Sequence, residues 1–306
     1  MARVLVTGSD GQLGMCIREI QSQYPDISFH FTNKNKLDIT KKRELNSFFS
    51  SNKINWCINC AAYTNVDKAE EEPDSASLIN KKGAEILAEV TNTQNVTLIH
   101  VSTDFVFDGK QKNPYTENDR TNPINIYGKT KLDGEKSIVK LNQNHFIIRT
   151  SWLYSKYKSN FLKTMLKLAT EKNKINVVSD QFGSPTNAID LAHVILKLIL
   201  VDSKSYGIYH FSNEGVVSWF EFAKTIFKEK QIDIEVNPIK TENNITLTKR
   251  PLYSVLDKTK IMTNFKSKGY SISLHTQIID YFIDDLAYHL INNFLSFYHQ
   301  MFHFTS

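Results

Sequence analysis

A doubly wound α/β fold, with helices on both faces of a parallel sheet and a smaller α/β lobe beside it, is what this 306-residue sequence predicts. Three observations predict it. Short apolar, β-branched runs alternate with helical segments through the first half of the chain, the habit of βαβ units. The first such run enters a turn carrying Gly8, Gly11 and Gly14. Past residue 150 the alternation loosens, as expected where segments leave the first body and re-enter it.

The elements follow in order. Arg3-Val-Leu-Val6 reads as a buried parallel strand over 2–7. Gly8 permits a tight turn, Gly11 lets backbone approach a pyrophosphate, and Gly14 lets the next helix lie on the sheet. That helix, over 12–22, aims free N–H groups and its positive dipole end at the same phosphates. The spacing departs by one residue from Gly-x-Gly-x-x-Gly, but the mechanics are those of a Rossmann-type dinucleotide site. A second strand is expected at 27–32, a helix at 41–50 and a third strand at 56–60. Cys57 and Cys60 lie on that strand, where residues three apart point to opposite faces, so they are expected as structural thiols rather than a redox pair. A helix over 74–92, a strand over 97–103, a helix over 125–141 and a strand over 145–150 complete the first body. Beyond it come helices at 159–171, 188–201 and 218–230, with strands at 174–178 and 206–211. The expected division is 1–150 with 175–203 as dinucleotide-binding domain, and 151–174 with 204–280 as substrate-binding lobe.

Chemistry enters with Tyr127 and Lys131, four apart and so on one helix face. A tyrosine ionises near pH 10, and a nearby ammonium would lower that value. Thr103 or Ser102, at the carboxyl end of the fourth strand, could align the reacting oxygen. Alone, such a pair is far more often a solvated helix surface; the glycine turn upstream favours catalysis. The second strand ends Thr32-Asn33-Lys34, without the carboxylate typical of NAD sites, and Lys34 could meet a 2′-phosphate. NADPH is therefore expected ahead of NADH. Asp38 falls near the adenine.

Composition narrows the classes. The chain is 41% hydrophobic and 23% charged with a formal charge of +5, and its cations are dispersed, which disfavours nucleic acid. No apolar run reaches membrane-spanning length and the first strand begins at once, so a cytoplasmic protein is expected, with no membrane partner. Three cysteines do not make a disulfide scaffold. His299 and His303 are four apart but lack an acidic partner between them, so no metal site is expected.

Seven segments, in one order, carry a resemblance. They are Thr7-Gly-Ser-Asp-Gly-Gln-Leu-Gly14, Asn59-Cys-Ala-Ala-Tyr-Thr-Asn-Val-Asp-Lys-Ala-Glu70, Ser102-Thr-Asp-Phe-Val-Phe-Asp-Gly109, Tyr127-Gly-Lys-Thr-Lys-Leu-Asp-Gly-Glu135, Arg149-Thr-Ser-Trp-Leu-Tyr154, Asp180-Gln-Phe-Gly-Ser-Pro-Thr186 and Arg250-Pro-Leu-Tyr-Ser-Val-Leu-Asp257. The chain resembles the extended short-chain dehydrogenase/reductases, and among them is similar to the dTDP-4-dehydrorhamnose reductase family. Phe105 and Tyr253 depart from that family's usual Tyr and Asn. The resemblance implies reduction of the C4 ketone of a dTDP-ketosugar, with Tyr127 as proton donor, Lys131 tuning it and holding the nicotinamide ribose, and Thr103 on the ketone oxygen. It implies cofactor contacts at Gly8, Gly11, Gln12, Leu13, Gly14, Asp38, Ile39, Ala62, Tyr63 and Thr64, and sugar-nucleotide contacts at Thr103, Asp104 and Trp152. A dehydratase would need an acid where Phe105 stands. An epimerase, or a regulatory subunit that binds NADP without turnover, stays open.

The tail matches the family poorly. Ile283, Leu286, Ala287, Leu290, Ile291, Phe294, Leu295, Tyr298 and Phe302 form an apolar stripe expected on an amphipathic helix over 281–306. It would bury against the lobe or against a second copy in a homodimer.

Overall fold

The computed structural model describes residues 1–244 and 248–266. The expected tail helix, with His299 and His303, lies outside the described residues. In chain order the strands are β1 (Ala2–Thr7), β2 (Ile27–Phe31), β3 (Trp56–Asn59), β4 (Thr97–Thr103), β5 (His145–Thr150), β6 (Leu153–Tyr154), β7 (Lys174–Val178), β8 (Phe182–Gly183), β9 (Thr186–Asn187), β10 (Gly207–His210), β11 (Val217–Ser218) and β12 (Glu235–Ile239). The helices are α1 (Gln12–Ile20), α2 (Lys42–Asn52), α3 (Val66–Glu71), α4 (Pro73–Ser77), α5 (Ala84–Thr93), α6 (Ile126–Leu141), α7 (Phe161–Glu171), α8 (Ala188–Leu200), α9 (Trp219–Glu229) and α10 (Thr259–Lys266). The helix expected over 74–92 is interrupted by a wide π turn, Leu78–Gly83, between α4 and α5.

One sheet organises the molecule. Its order is β10-β5-β4-β3-β1-β2, and its neighbours all run parallel. Alternate residues of each strand feed opposite cores, as the pleat requires. Val4, Val6, Ile58, Phe146 and Ile148 pack with α1, α8 and α10 on one face. Leu5, Cys57, Leu98 and Ile147 pack with α2 and α5 on the other. The order reverses at β1, whose neighbours are β2 and β3, so the crevice beyond its carboxyl end is where an open α/β sheet takes a ligand.

The lobe has its own core. β7 pairs with β12, and α7 and α9 cover them through Leu162, Met165, Phe222 and Ile226. These pairings set 175–178 in the lobe and 207–210 in the large sheet, on the opposite sides from the expected division. Strand–strand pairing between residues far apart in sequence decided both placements, and local patterning carries no trace of it.

Candidate active site

The glycine turn is built by backbone contact. Gly8 takes φ +61°, and a Cβ there would stand 2.6 Å from the backbone of Ala61. A Cβ on Gly14 would stand 2.5 Å from Ser9 Cα. Gly11 precedes α1 with no side-chain cap and no acid in the first turn, so the helix N–H groups stay free for an anion. Beyond the turn opens a cleft of about 650 Å³ lined by Gly8, Gly11, Asp38, Ile39, Ala62 and Tyr63 among others. These six are expected cofactor contacts. Gln12 is committed elsewhere: its amide donates to Leu153 O at 3.1 Å and accepts from Asn160 at 2.7 Å, tying turn to lobe. Leu13 packs into the core, and Thr64 is exposed away from the cleft lining.

Several cleft residues escaped the sequence reading, Asp10, Glu72 and Ser75 among them. Asp10 Oδ2 accepts from Asn33 Nδ2 at 2.5 Å, so a carboxylate does stand at the end of β2, supplied by the glycine turn. Lys34 lines the same wall. Asp38 accepts from Thr40 N and Oγ1 at 2.8 Å each. Burial opposes its charge, but those bonds and the Lys34 and Lys41 charges hold its carboxyl below the ordinary value.

The catalytic candidates meet where β4 ends and α6 begins. Asn125 caps α6 by accepting from Gly128 N at 2.8 Å and donates to Lys249 O at 2.9 Å. Gly128 is obligatory, because a Cβ there would lie 2.1 Å from Phe105 O. That close approach sets the half-buried Tyr127 beside Thr103, with the rings of Phe105 and Tyr127 edge-on, centroids 5.8 Å apart. Thr103 Oγ1 donates to Asp104 Oδ1 at 3.0 Å and accepts from Phe105 N at 3.2 Å. Burial pushes the Asp104 carboxyl up to about 6, against hydrogen bonds from Ser254 and Thr103. Its Oδ2 has no hydrogen-bond partner among the described residues.

Burial shifts both members of the expected pair, Tyr127 and Lys131. Burial pushes the Tyr127 phenol up to about 12; a hydrogen bond to Thr103 opposes this and the Asp104 charge adds to it. Lys131 is fully buried, and its Nζ is bound to Val101 O at 2.6 Å and to His100 Nε2 at 3.2 Å. Burial pulls its ammonium down to about 8, with Glu135 and Cys60 opposing. In both groups burial is the largest cause of the shift.

A further turn along α6, Glu135 makes a buried clamp. Arg149 Nε and Nη2 donate to its carboxylate at 3.0 and 2.7 Å, and Ser102 Oγ donates at 2.5 Å. The clamp ties α6 to β4 and β5. Cys57 and Cys60 are free thiols on opposite faces, the first in one core and the second against the other.

Trp152 stands apart, on the lobe side. It holds φ +48°, costly for a bulky residue. Its indole stacks on Trp219 with centroids 3.4 Å apart and planes 7° from parallel. Gly183 makes room, since a Cβ there would come 2.5 Å from the Trp152 ring. Ser218 caps α9 in a reciprocal capping box with Glu221, which fixes Trp219 at the first turn. Among the described residues no cluster of His, Cys, Asp or Glu side chains could hold a metal ion, and no helix is long and apolar enough to cross a membrane.

Comparison with known proteins adds the following. Residues 2–281 match the family described as the RmlD substrate binding domain. A dTDP-4-dehydrorhamnose reductase of Aggregatibacter actinomycetemcomitans is 43% identical, covering 87% of this chain and 94% of its own. The spore coat polysaccharide biosynthesis protein SpsK of Bacillus subtilis is also 43% identical, over 84% of this chain and 89% of its own. The crystal structure of a dTDP-4-dehydrorhamnose reductase of Bacillus anthracis in complex with NADP superposes with a TM-score of 0.83 at 40% identity, covering 89% of this chain and 95% of that one.

Proposed function

The chain belongs to the RmlD substrate-binding domain family, and on that premise we propose that it reduces the C4 ketone of dTDP-4-dehydro-L-rhamnose to dTDP-L-rhamnose, with NADPH or NADH. The observation that supports the reading is Tyr127 set beside Thr103 at the end of β4, with Lys131 one turn along α6 and bound to Val101 O, together with a glycine turn too tight for side chains. That turn fits a pyrophosphate: its backbone can approach closely, and α1 offers uncapped N–H groups. Gly8, Gly11, Asp38, Ile39, Ala62 and Tyr63 would hold the cofactor, with Lys131 at its ribose. When bound, the reduced nicotinamide supplies the hydride.

The residues supply the rest. Thr103 would hydrogen-bond the ketone oxygen, and such a bond strengthens as negative charge develops there. Tyr127 would give its proton to that oxygen. A phenol held near 12 stays protonated at neutral pH, the form that reduction needs, and still loses its proton readily to an alkoxide. Asp104 and Trp152 would orient the sugar nucleotide, Trp152 from the lobe side. The lobe would bind the sugar nucleotide and the large sheet the cofactor, in the cytoplasm where both ligands are soluble.

Purified protein with NADPH and the ketosugar nucleotide should oxidise the cofactor, followed by absorbance of the reduced nicotinamide. Tyr127→Phe keeps the shape and removes the proton, so turnover should fall about 10²–10⁴-fold. Absence of oxidation by the unaltered protein, with cofactor still bound, would instead select a binding subunit. Near-normal turnover of the Phe variant would remove Tyr127 from the acid's role.

A further inference from the structure

β2 ends without an acid, and Thr32, the next residue, is buried with its hydroxyl 3.4 Å from Val6 O. What the strand lacks, the glycine turn brings. Ser9 N donates to Thr32 O at 3.0 Å, which fastens the turn to the end of β2 and sets Asp10 next to Asn33. Backbone orients the Asn33 amide. Its Oδ1 accepts from Asn35 N and Lys36 N at 3.1 Å each, and a backbone N–H can only donate. Nδ2 is therefore the end at Asp10, where it donates to Oδ2 at 2.5 Å. Asp10 Oδ1 meets the Ser9 hydroxyl at 3.4 Å, a long contact that leaves lone pairs for another donor. The carboxylate is thus held by an amide that is itself held, and both residues line the cleft that opens at Gly8 and Gly11.

The neighbouring cations are placed elsewhere. Lys34 lines the same wall but is exposed, and its charge acts on Asp38, whose carboxyl it helps hold below the ordinary value. Arg18 of α1 lies over the Phe31 ring, 4.1 Å from its centroid, and reaches Ser9 Oγ at 3.4 Å. With Glu19 and Tyr157 it lines a neighbouring hollow. In a dinucleotide fold the group at the end of the second strand meets the adenine ribose. A carboxylate there accepts from a 2′-hydroxyl, whereas a cation accommodates a 2′-phosphate. We propose that Asp10, held by Asn33, reads the 2′ position of the adenine ribose: it accepts from the 2′-hydroxyl of NADH and works against the 2′-phosphate of NADPH. One turn then serves two purposes. Its backbone takes the pyrophosphate common to both nucleotides, and its one acid tells them apart. Lys34 favours the phosphate from an exposed position, where solvent and salt screen it. The site therefore admits NADH although β2 offers no acid.

The inference rests on reading the cleft as the cofactor site, but its test needs neither sugar nucleotide nor turnover. Dissociation constants for NADH and NADPH are measured by fluorescence titration of the full chain at low ionic strength, before and after Asp10→Asn. Asparagine keeps the shape and an oxygen that can accept from Asn33, so only the charge is lost. NADPH should tighten and NADH weaken, raising the preference for NADPH over NADH by about tenfold. The rise should shrink in salt of about 0.5 M, because the charge is exposed and screened. ADP-ribose and its 2′-phosphate, which carry no nicotinamide, should show the same change by calorimetry and so report the ribose end alone. Asn33→Ala frees Asp10 from its place and should move the preference the same way by less. A preference left unchanged by Asp10→Asn overturns the proposal, as does one that moves towards NADH. Absence of turnover with the ketosugar nucleotide, with the expected change in preference intact, would count against the reductase reading alone.

Discussion

At the glycine turn, backbone meets backbone: Gly8 lies against Ala61 and Gly14 against Ser9, at distances no side chain tolerates. In the lobe, side chain meets side chain: Trp152 is held in a left-handed conformation by the Trp219 stack and the missing side chain of Gly183. The first arrangement is carried by the large parallel sheet and two cores. The second rests on short two-stranded pairings and one aromatic cluster. A ligand group common to many enzymes, a pyrophosphate, can be met by backbone. A particular sugar nucleotide needs side chains, and these come at the cost of local strain.

The comparison predicts unequal consequences. Gly14→Ala should do most, since its Cβ drives α1 from the turn. Overpacking of this kind costs about 1–3 kcal/mol, and cofactor affinity should fall more than tenfold, read by fluorescence titration with NADPH. Unchanged affinity would show that the close approach is not what holds the cofactor.

Asp104 sits at the seam between the two arrangements. Its carboxyl is raised to about 6, above the ordinary 3.8, so the folded protein holds that proton more tightly than the unfolded chain does. The resulting loss of stability develops as pH rises from about 4 to 6 and is full above that. Asp104→Asn should therefore raise stability at pH 7.5 by about 1–3 kcal/mol, with the gain vanishing near pH 4, while substrate binding weakens. Denaturant melts at the two pH values decide it; equal gains at both would point to packing rather than charge.

Trp219→Leu removes the stack but leaves the cradle untouched. An aromatic pair contributes about 0.5–1.5 kcal/mol beyond its buried area. KM for the sugar nucleotide should rise roughly two- to tenfold by that measure, with KM for NADPH unmoved. A parallel rise in both would dissolve the distinction between the two regions. The smallest effect belongs to Lys34→Ala, an exposed cation worth less than about 1 kcal/mol. It should lower the preference for NADPH over NADH only slightly, because Asp10 stands on the same wall. A large change would make Lys34 the main reader of the 2′-phosphate.

What the sequence by itself determined is what local patterning encodes. β1, β4, β5 and β7 fall on the expected residues, and the remaining strands and main helices of the large sheet lie within a few residues of expectation. Apolar period, glycine spacing and capping residues act over one turn or one strand, so they are legible in the linear chain. The tight turn at Gly8 was legible for the same reason.

Tertiary structure decided the rest, because the partners are far apart in sequence. β10 entered the large sheet and β7 left it through pairing alone. Asp10 reached Asn33 across a crossover and supplied the carboxylate that β2 lacks. Burial, which no spacing rule reports, is the largest cause of the shifts at Tyr127 and Lys131. His100 reads as an ordinary strand residue until the fold sets Asn59 on one side of its ring and Lys131 on the other. The charge carried by a buried side chain is set by the groups packed around it, and only the folded chain brings those groups together.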